Sequence, residues 1–350
     1  MTATQEILGR LETGARPSRD DVVALLTSSE EQFLFSYADK IRERCLGDEV
    51  HLRGIIEFSN YCVKNCLYCG LRRGNRRLVR YRMTADEILE TAAEGAAAGL
   101  KTIVLQSGED PHFTAKELSR IIAAVKERYD VAVTVSVGDR TKRDYRLMKE
   151  AGADRYLLKH ETSDPELFSR LRPGTTLQDR IKRLRWLKEL GFQIGSGNMV
   201  GLPGQDAETL ADDIMLMQEL EVEMAGIGPF IPNSDTPLAR AQGGDVATTL
   251  KVLAVARIVL PNTHLPATTA LGSIHPEGRQ MALARGANVV MPDITPVGYK
   301  KLYRIYPNKI CIDEEGTTQC IPCISALIAS SGRSVGTGYG HGWMHQQRRT

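Results

Sequence analysis

The sequence predicts a closed (β/α)8 barrel at residues 49–306, with a helical extension at 1–48 and a cysteine-bearing segment at 307–350. Two observations support this fold. From residue 50 onward, apolar runs bounded by turn residues alternate with helical patterns, and the alternation is sustained for eight strand–helix units. Neither an internal repeat nor a low-complexity linker divides the chain. An open, doubly wound sheet is the alternative architecture.

Helices are predicted throughout the extension. Ser18 is placed to cap a first helix, and apolar residues at helical spacing cover a second helix from residue 30 to 44. Cys45 follows that helix and has no nearby partner in the sequence, so packing is its expected role.

In the predicted barrel, apolar runs typical of strands alternate with apolar residues at helical spacing. The predicted strands lie at 51–58, 102–106, 131–137, 155–160, 193–197, 224–230, 266–270 and 289–292. The predicted helices lie at 85–98, 115–128, 143–150, 177–190, 207–220, 247–259 and 277–285. Thr84 with Glu87, and Thr114 with Glu117, have the spacing of capping boxes. Because active sites of such barrels lie where the strands end, each polar residue that ends a strand is a site candidate.

Composition excludes several classes of function. The net charge is +2, so neither a nucleic acid nor a membrane is expected as a partner. The chain has no apolar run of about 18 residues and no signal-peptide pattern at its start. Six of the seven cysteines fall into two groups of three, which favours metal ligation in a reducing compartment over disulfides. A cytoplasmic protein is therefore expected.

The first cysteine group, Cys62, Cys66 and Cys69, directly follows the first predicted strand. Thiolates are ligands for zinc and for iron–sulfur clusters. A structural zinc site usually has four ligands, whereas three thiolates on a four-iron cluster leave one iron open for a small molecule. The CxxxCxxC spacing, with Tyr68 before the last cysteine, resembles the radical S-adenosylmethionine (SAM) superfamily. That resemblance implies a [4Fe–4S] cluster that binds SAM and cleaves it to a 5′-deoxyadenosyl radical. A zinc knuckle or inert thiols remain the alternatives.

Later strand ends add polar candidates. Arg155, Lys159 and Glu161 share one parity along the fourth strand, and inward charges are costly unless they are paired or bind a ligand. They therefore form either a salt bridge, Glu161 with Lys159 or Arg180, or a cationic pocket for an anionic substrate. Thr134 and Ser136 likewise either satisfy local backbone or bind a ligand.

Six arginines follow the cysteine group within eleven residues: Arg72, Arg73, Arg76, Arg77, Arg80 and Arg82. A run of charges usually forms a solvated face. The other interpretation is a basic patch for an electron donor, a partner protein or an anionic ligand.

The second cysteine group is Cys311, Cys320 and Cys323. It holds zinc, a second iron–sulfur cluster or nothing, because a fourth ligand is not evident. The Gly-rich tail at 336–350 is predicted to be flexible.

Seven stretches together resemble the HydE family, the radical SAM maturases of [FeFe]-hydrogenase. They are EFSNYC (57–62), CGLRR (69–73), LQSGED (105–110), HET (160–162), MVGLPGQ (199–205), GIGPFIP (226–232) and PATTA (266–270). The resemblance runs from about residue 45 to 325 and includes the second cysteine group, which would carry an accessory [2Fe–2S] or [4Fe–4S] cluster.

What this resemblance implies is specific. A reducing donor would supply the electron, and the substrate would be a small, anionic iron carbonyl–cyanide unit made by a HydG-type maturase, with the product passing to a HydF-type maturase. Cys62, Cys66 and Cys69 would hold the catalytic cluster, and Tyr303 would face the reaction. The cofactor contacts would be Tyr68, Ser136, Glu161, Arg180 and Met199. The substrate contacts would be Gln106, Ser107, Thr134, Arg155, Lys159, Met224, Thr268 and Thr269. Lys159 stands where the family is expected to have Arg, which would cost the two-pronged anion contact.

Two rival functions stay open. One is a radical SAM mutase similar to methylornithine synthase, which shares the barrel and the first motif. The other is a non-catalytic metal carrier that uses both cysteine groups and does not turn SAM over.

Overall fold

Three helices precede the first strand in the computed structural model, which describes residues 2–310 and 318–343. They are α1 (Ala3–Glu12), α2 (Arg19–Thr27) and α3 (Glu31–Leu46). Thr2 and Ser18 begin α1 and α2 with reciprocal capping boxes. The apolar faces of all three helices join the same hydrophobic core as the rest of the chain. Arg19 also pairs with Asp212, at 2.6 Å from Nε to Oδ1, across the outer surface.

The strands that follow are mostly short. They are β1 (Glu49–Leu52), β2 (Gly54–Ser59), β3 (Thr102–Ser107), β4 (Ala132–Ser136), β5 (Arg155–Leu157), β6 (Gln193–Ser196), β7 (Met199–Val200), β8 (Met224–Ala225), β9 (Gly228–Pro229), β10 (Val289–Val290) and β11 (Ser334–Val335). Six of them form one parallel sheet in the order β2-β3-β4-β5-β6-β8. In its register Gln106 lies opposite both Glu57 and Ser136.

Three single bridges close this sheet on itself. Met224 pairs with His264, Pro266 pairs with Val289, and Asp293 pairs with Ile55 of β2, all in parallel. The closed (β/α)8 barrel predicted from the sequence is therefore confirmed. The predicted strand at 266–270 is wrong beyond its first residue, because Thr268 caps a helix there.

Helices surround the barrel on the outside. They are α4 (Ala85–Ala97), α5 (Ala115–Arg128), α6 (Lys142–Glu150), α7 (Pro165–Leu171), α8 (Leu177–Glu189), α9 (Ala207–Glu219), α10 (Val246–Val259), α11 (Thr269–Ile274), α12 (Gly278–Leu283), α13 (Val297–Lys300) and α14 (Cys320–Ser330). The capping boxes of Thr84 and Thr114 are both present. Helix α7, which Asp164 caps, was not predicted. No helix within 2–310 or 318–343 has both the length and the apolar character that crossing a bilayer requires.

The described part of the tail packs against the amino-terminal end of the barrel. Strand β11 pairs with β1, and Arg155 donates to the carbonyls of Tyr339 and Gly340 at 2.6 and 2.9 Å. Gln193 accepts a hydrogen bond from the Gly342 amide at 2.7 Å. This differs from the flexible tail predicted from Gly336 onward, because buried polar side chains at the strand starts bind the tail backbone. Residues 344–350 lie outside the described residues.

Candidate active site at the carboxyl-terminal end of the barrel

The loop that carries Cys62, Cys66 and Cys69 follows β2 and is fixed by backbone contacts. The Val63 amide donates to the Glu109 carbonyl at 3.0 Å, and the Glu109 amide lies 3.4 Å from the Cys62 sulfur. Gly108 permits this approach, because a Cβ there would lie 2.2 Å from the Tyr61 carbonyl oxygen. The strand end after β3 therefore holds the cysteine loop in place.

Two adjoining cavities open at this end of the barrel. The first has a volume of about 250 Å³ and is lined by the three cysteines. It is also lined by six of the predicted site residues: Gln106, Ser107, Ser136, Glu161, Arg180 and Tyr303. The second, about 340 Å³, has Met199, Thr268 and Thr269 among its lining residues. Tyr68, Gln106, Lys159 and Glu161 line both. Most of the side chains predicted from strand ends thus meet in one continuous space.

The three thiols face the first cavity in a buried setting. Burial raises the pKa of Cys62, Cys66 and Cys69, and the neighbouring thiols raise that of Cys69 further. Within the described residues, no three Cys, His, Asp or Glu side chains are arranged to hold a single metal ion. Three thiols that line one cavity are a soft donor set of the kind that holds iron–sulfur clusters.

Glu161 has an unusual backbone. Its φ is +68°, in the left-handed region that few residues other than glycine adopt. The amide of Glu161 donates to Gly197, and its carbonyl accepts from Met199, at 2.9 and 3.0 Å. These two bonds hold the carboxylate at the junction of the two cavities, 3.8 Å from the Lys159 ammonium. Such backbone strain is typical of functional sites.

Arg180 is anchored by Asp139, at 3.3 Å from Nε to Oδ1. Its Nη1 also donates to the Lys159 carbonyl at 2.8 Å. Burial acts to raise the pKa of Asp139, but the charges of Arg180, Arg172 and Arg183 outweigh it and lower that pKa. The sequence alternative of a Glu161–Arg180 salt bridge is not found in the described residues, where Lys159 is the ion-pair partner of Glu161.

Arg172 is a cavity residue that the sequence analysis missed. It donates to the Tyr68 hydroxyl at 2.8 Å and lies 3.6 Å from the Glu109 carboxylate. Burial, with the nearby charge of Asp139, raises the pKa of Glu109. Arg172 caps the end of α7, so a search of strand ends could not find it. The available signal was an arginine just before the Pro173–Gly174 turn.

Three predicted substrate residues line neither cavity. Arg155, Thr134 and Met224 lie nearer the amino-terminal end of the barrel, where Thr134 and Arg155 are paired in register. The Arg155 guanidinium binds the tail, and the Met224 sulfur contacts Arg53 at 2.8 Å. The Thr134 hydroxyl is buried with no hydrogen-bond partner among the described residues. Residues that begin or lie midway along short strands point into the floor of the barrel rather than its mouth.

The second cysteine group is described only in part. Cys320 is buried and Cys323 is exposed, one turn apart on α14, whereas Cys311 lies outside the described residues. The chain that leads to Cys311 is anchored by Lys309, whose buried ammonium lies 2.6 Å from carboxylate oxygens of both Glu57 and Asp293. Lys309 is thus joined to the barrel wall.

Comparison with known proteins agrees with this architecture. Residues 56–217 match the model of the radical SAM superfamily. The [FeFe] hydrogenase maturase subunit HydE of Thermotoga maritima is 50% identical over 338 residues, which cover 96% of this chain and 97% of that protein. This chain belongs to the HydE family. It is therefore a radical SAM enzyme, and that superfamily uses a [4Fe–4S] cluster and SAM.

Other relatives of this HydE-family enzyme show how widely the fold is shared. The 3-methylornithine synthase of Methanosarcina acetivorans is 32% identical over 282 residues, covering 79% of each chain. The crystal structure of a methylornithine synthase superposes with a TM-score of 0.83 at 25% identity, covering 96% of this chain and 97% of that one. The maturase HydG of Carboxydothermus hydrogenoformans superposes with a TM-score of 0.78 at 22% identity, over 94% of this chain and 78% of that one. The HydG likeness shows a common fold alone.

Proposed function

We propose that this HydE-family enzyme cleaves SAM and directs the resulting radical at an iron carbonyl–cyanide precursor of the di-iron subcluster of [FeFe]-hydrogenase. The observation that carries the proposal is the convergence of Cys62, Cys66 and Cys69 with Glu161 and Arg180 on one cavity that continues into a second. The identity to the Thermotoga maritima protein supports the choice of pathway.

Cys62, Cys66 and Cys69 are the proposed ligands of the catalytic [4Fe–4S] cluster. When bound, the cluster supplies the electron that splits SAM into methionine and the 5′-deoxyadenosyl radical. The thiols must lose their protons to bind iron, so ligation has to overcome the raised pKa that burial gives them. The positive charges of Arg172 and Arg180 lower the pKa of Cys66 and so offset part of this cost.

Glu161 and Arg180 are proposed to orient SAM. The ammonium of SAM suits the Glu161 carboxylate and its carboxylate suits the Arg180 guanidinium, since both pairs form charge-assisted hydrogen bonds. Asp139 keeps Arg180 in place, and the strained backbone fixes Glu161. We assign Tyr68, Ser136 and Met199 to the remaining cofactor contacts, because all three line these cavities. Pre-positioning of this kind lowers the entropic cost of reaction.

The second cavity is the proposed substrate site. Lys159 provides one positive charge there, and Thr268 and Thr269 provide hydroxyls among walls that are otherwise mostly apolar. A small anion with an apolar metal–ligand face suits this lining. Gln106 lines both cavities and Ser107 lines the cysteine cavity, and Tyr303 is buried beside the cysteines, where it can face the reacting atoms.

The accessory cluster and the partner proteins complete the proposal. Cys311, Cys320 and Cys323 would hold a [2Fe–2S] or [4Fe–4S] cluster, a HydG-type maturase would supply the substrate, and a HydF-type maturase would receive the product. The exposed Cys323 and buried Cys320 at helical spacing are compatible with two ligands of such a site.

The decisive experiment is an anaerobic SAM-cleavage assay. The chain is reconstituted with iron and sulfide, reduced with dithionite and mixed with SAM, and 5′-deoxyadenosine is measured by chromatography. We expect product in the wild type, more product when the HydG reaction product is added, and none from Cys66→Ser. A fully loaded, reduced wild type that forms no 5′-deoxyadenosine would leave the metal-carrier function as the better explanation.

A radical SAM mutase is the second candidate, favoured by the 32% identity to 3-methylornithine synthase. Lysine is then the expected substrate, and its conversion to 3-methylornithine, an isomer of the same mass, can be followed by chromatographic separation of the two amino acids. Conversion of lysine in the assay above, with no response to the HydG product, would replace the maturase proposal with this one.

A further inference from the structure

The arginine-rich segment after the cysteine loop separates into an inward and an outward half. Arg72, Arg80 and Arg82 point inward: Arg72 donates to the Cys66 carbonyl at 3.1 Å, and Arg82 pairs with Asp110 at 2.7 Å. Arg80 donates to several backbone carbonyls of the same loop, including that of Leu71 at 2.9 Å. These three side chains hold the loop together and are unavailable to a partner.

The outward half is exposed. Arg73, Arg76 and Arg77 face solvent, and the Arg77 side chain is 84% exposed although it lies 3.3 Å from Asp235. Arg73 and Arg76 have no carboxylate within ion-pair distance among the described residues. An ordinary solvated protein surface mixes charges of both signs, but residues 61–83 contain seven basic residues and no acidic one. The chain as a whole carries only +2, so its positive charge is concentrated here.

Two exposed valines lie within the same segment. Val63 lies inside the cysteine loop and is 47% exposed, and Val79 is 63% exposed. They are two of only five large apolar side chains that are exposed in the described part of the chain. Apolar side chains amid basic ones are typical of a protein-docking surface, whereas a patch that serves only to attract small anions has no need of them.

We infer that Arg73, Arg76, Arg77, Val63 and Val79 form the docking surface for a small acidic protein that carries single electrons. We name these five residues the basic surface. The inference rests on the proposed function, since it assumes a redox cluster on Cys62, Cys66 and Cys69. Arg72 links this surface directly to the backbone of Cys66, so a carrier bound here would lie against the outer side of the cysteine loop. The carrier would give one electron to the cluster and become oxidised by one equivalent, with no bond made or broken.

The test measures binding and electron delivery separately. The probe is a recombinant flavodoxin of net negative charge, and the variant is Arg73→Glu with Arg76→Glu. The matched control is Arg143→Glu with Arg146→Glu, because both of these arginines are exposed on α6 and neither belongs to the basic surface. Surface-immobilised, cluster-loaded enzyme is exposed to the flavodoxin at increasing salt. Thermal melting checks that both double variants are folded.

We expect the basic-surface variant to lose association rate by about tenfold to a hundredfold at low salt, with a flatter salt dependence, since charge steers encounter. The control should change association less than about twofold. Val79→Ser should weaken flavodoxin binding while leaving the binding of a heparin fragment unchanged. Equal losses in the variant and its control would overturn the inference, and so would a Val79→Ser variant that binds flavodoxin as the wild type does.

The activity arm separates this inference from the proposed function. With dithionite, which needs no docking, the basic-surface variant should form 5′-deoxyadenosine at the wild-type rate; with reduced flavodoxin it should be slower in proportion to its lost binding. Wild-type activity with both reductants in the variant would refute the docking surface and leave the enzyme function standing. No product from any form with dithionite would instead refute the proposed function.

Discussion

Arg155 and Lys159 lie four residues apart at one strand of the barrel, yet their side chains serve opposite ends of it. Arg155 is fully buried at the amino-terminal end, where tail carbonyls accept its hydrogen bonds at 2.6 and 2.9 Å. Lys159 lines both cavities at the carboxyl-terminal end, and its ion-pair contact with Glu161 is 3.8 Å. The guanidinium of Arg155 thus has its hydrogen-bond acceptors within the chain, whereas the ammonium of Lys159 has a long ion-pair contact and faces a cavity.

The two ends of the barrel differ in the same way as these two residues. At the amino-terminal end, Arg53, Arg155 and Gln193 are closed off by the backbone of residues 339–342. At the carboxyl-terminal end, the ion pairs of Arg180, Arg172 and Lys159 are 3.3 to 3.8 Å long, which is longer than the hydrogen bonds of Arg155 to the tail. These three side chains line open cavities. A charge inside a barrel therefore indicates a ligand site only where the chain has not already supplied its partners.

Removing the tail should have the largest effect. Truncation after Gly338 deletes the tail carbonyls that accept from Arg53 and Arg155. Arg155 then keeps its hydrogen bonds to Gln193 and Thr102, and Arg53 keeps its contact with the Met224 sulfur. We expect a loss of about 4 kcal/mol in the free energy of unfolding, measured by urea denaturation. A truncated chain as stable as the full one would show that water replaces the tail without cost and that the two ends are alike.

A matched pair of substitutions sharpens the contrast. Arg155→Met should lower the free energy of unfolding by about 2 kcal/mol, because the tail carbonyls lose their donors, and SAM cleavage should continue. Lys159→Met should change stability by less than about 0.5 kcal/mol but reduce the response of 5′-deoxyadenosine formation to the HydG product. Urea denaturation and the chromatographic assay check both. If instead Arg155→Met reduced the response to the HydG product and left stability unchanged, Arg155 would be better explained as a substrate contact.

Acid should weaken the amino-terminal end selectively. His51 packs against Gly336 and Gly340, and burial, together with the charges of Arg53 and Arg155, lowers its pKa to about 4. An unfolded histidine has a pKa near 6.5, so the unfolded state takes up the proton first and stability falls as the pH drops from about 6.5 to 4. In His51→Gln, the fall in the free energy of unfolding over this pH range, measured by urea denaturation, should be smaller by about 2 kcal/mol. Parallel stability–pH curves for the two proteins would contradict this assignment.

The smallest effect is expected at the proposed SAM site. Arg180→Lys keeps the charge but loses the planar fork, so the KM for SAM should rise about tenfold with little change in melting temperature. Arg183→Lys is the control, because Arg183 also faces Asp139, at 3.7 Å, but lines neither cavity. Equal KM values in the two variants would remove Arg180 from the cofactor site.

The candidate site was largely predictable because its signals are local. The CxxxCxxC spacing needs no tertiary information, and strand ends were identified well enough to bring Gln106, Ser136, Glu161 and Thr268 to the cavities. Arg172 was missed because it ends a helix. Asp139 was missed because its role depends on Arg180, which is distant in sequence and adjacent only in space.

The sequence by itself determined the barrel, since alternating periodicities and turn residues require only local backbone preferences and burial. It also determined the family, which the comparisons with known proteins confirm. Only the tertiary structure decided which inward charges face a cavity and which face the tail. The reason is physical: residues on one strand face share a parity, but their partners come from segments up to 287 residues away, as for Arg53 and Gly340. No local pattern encodes that distance.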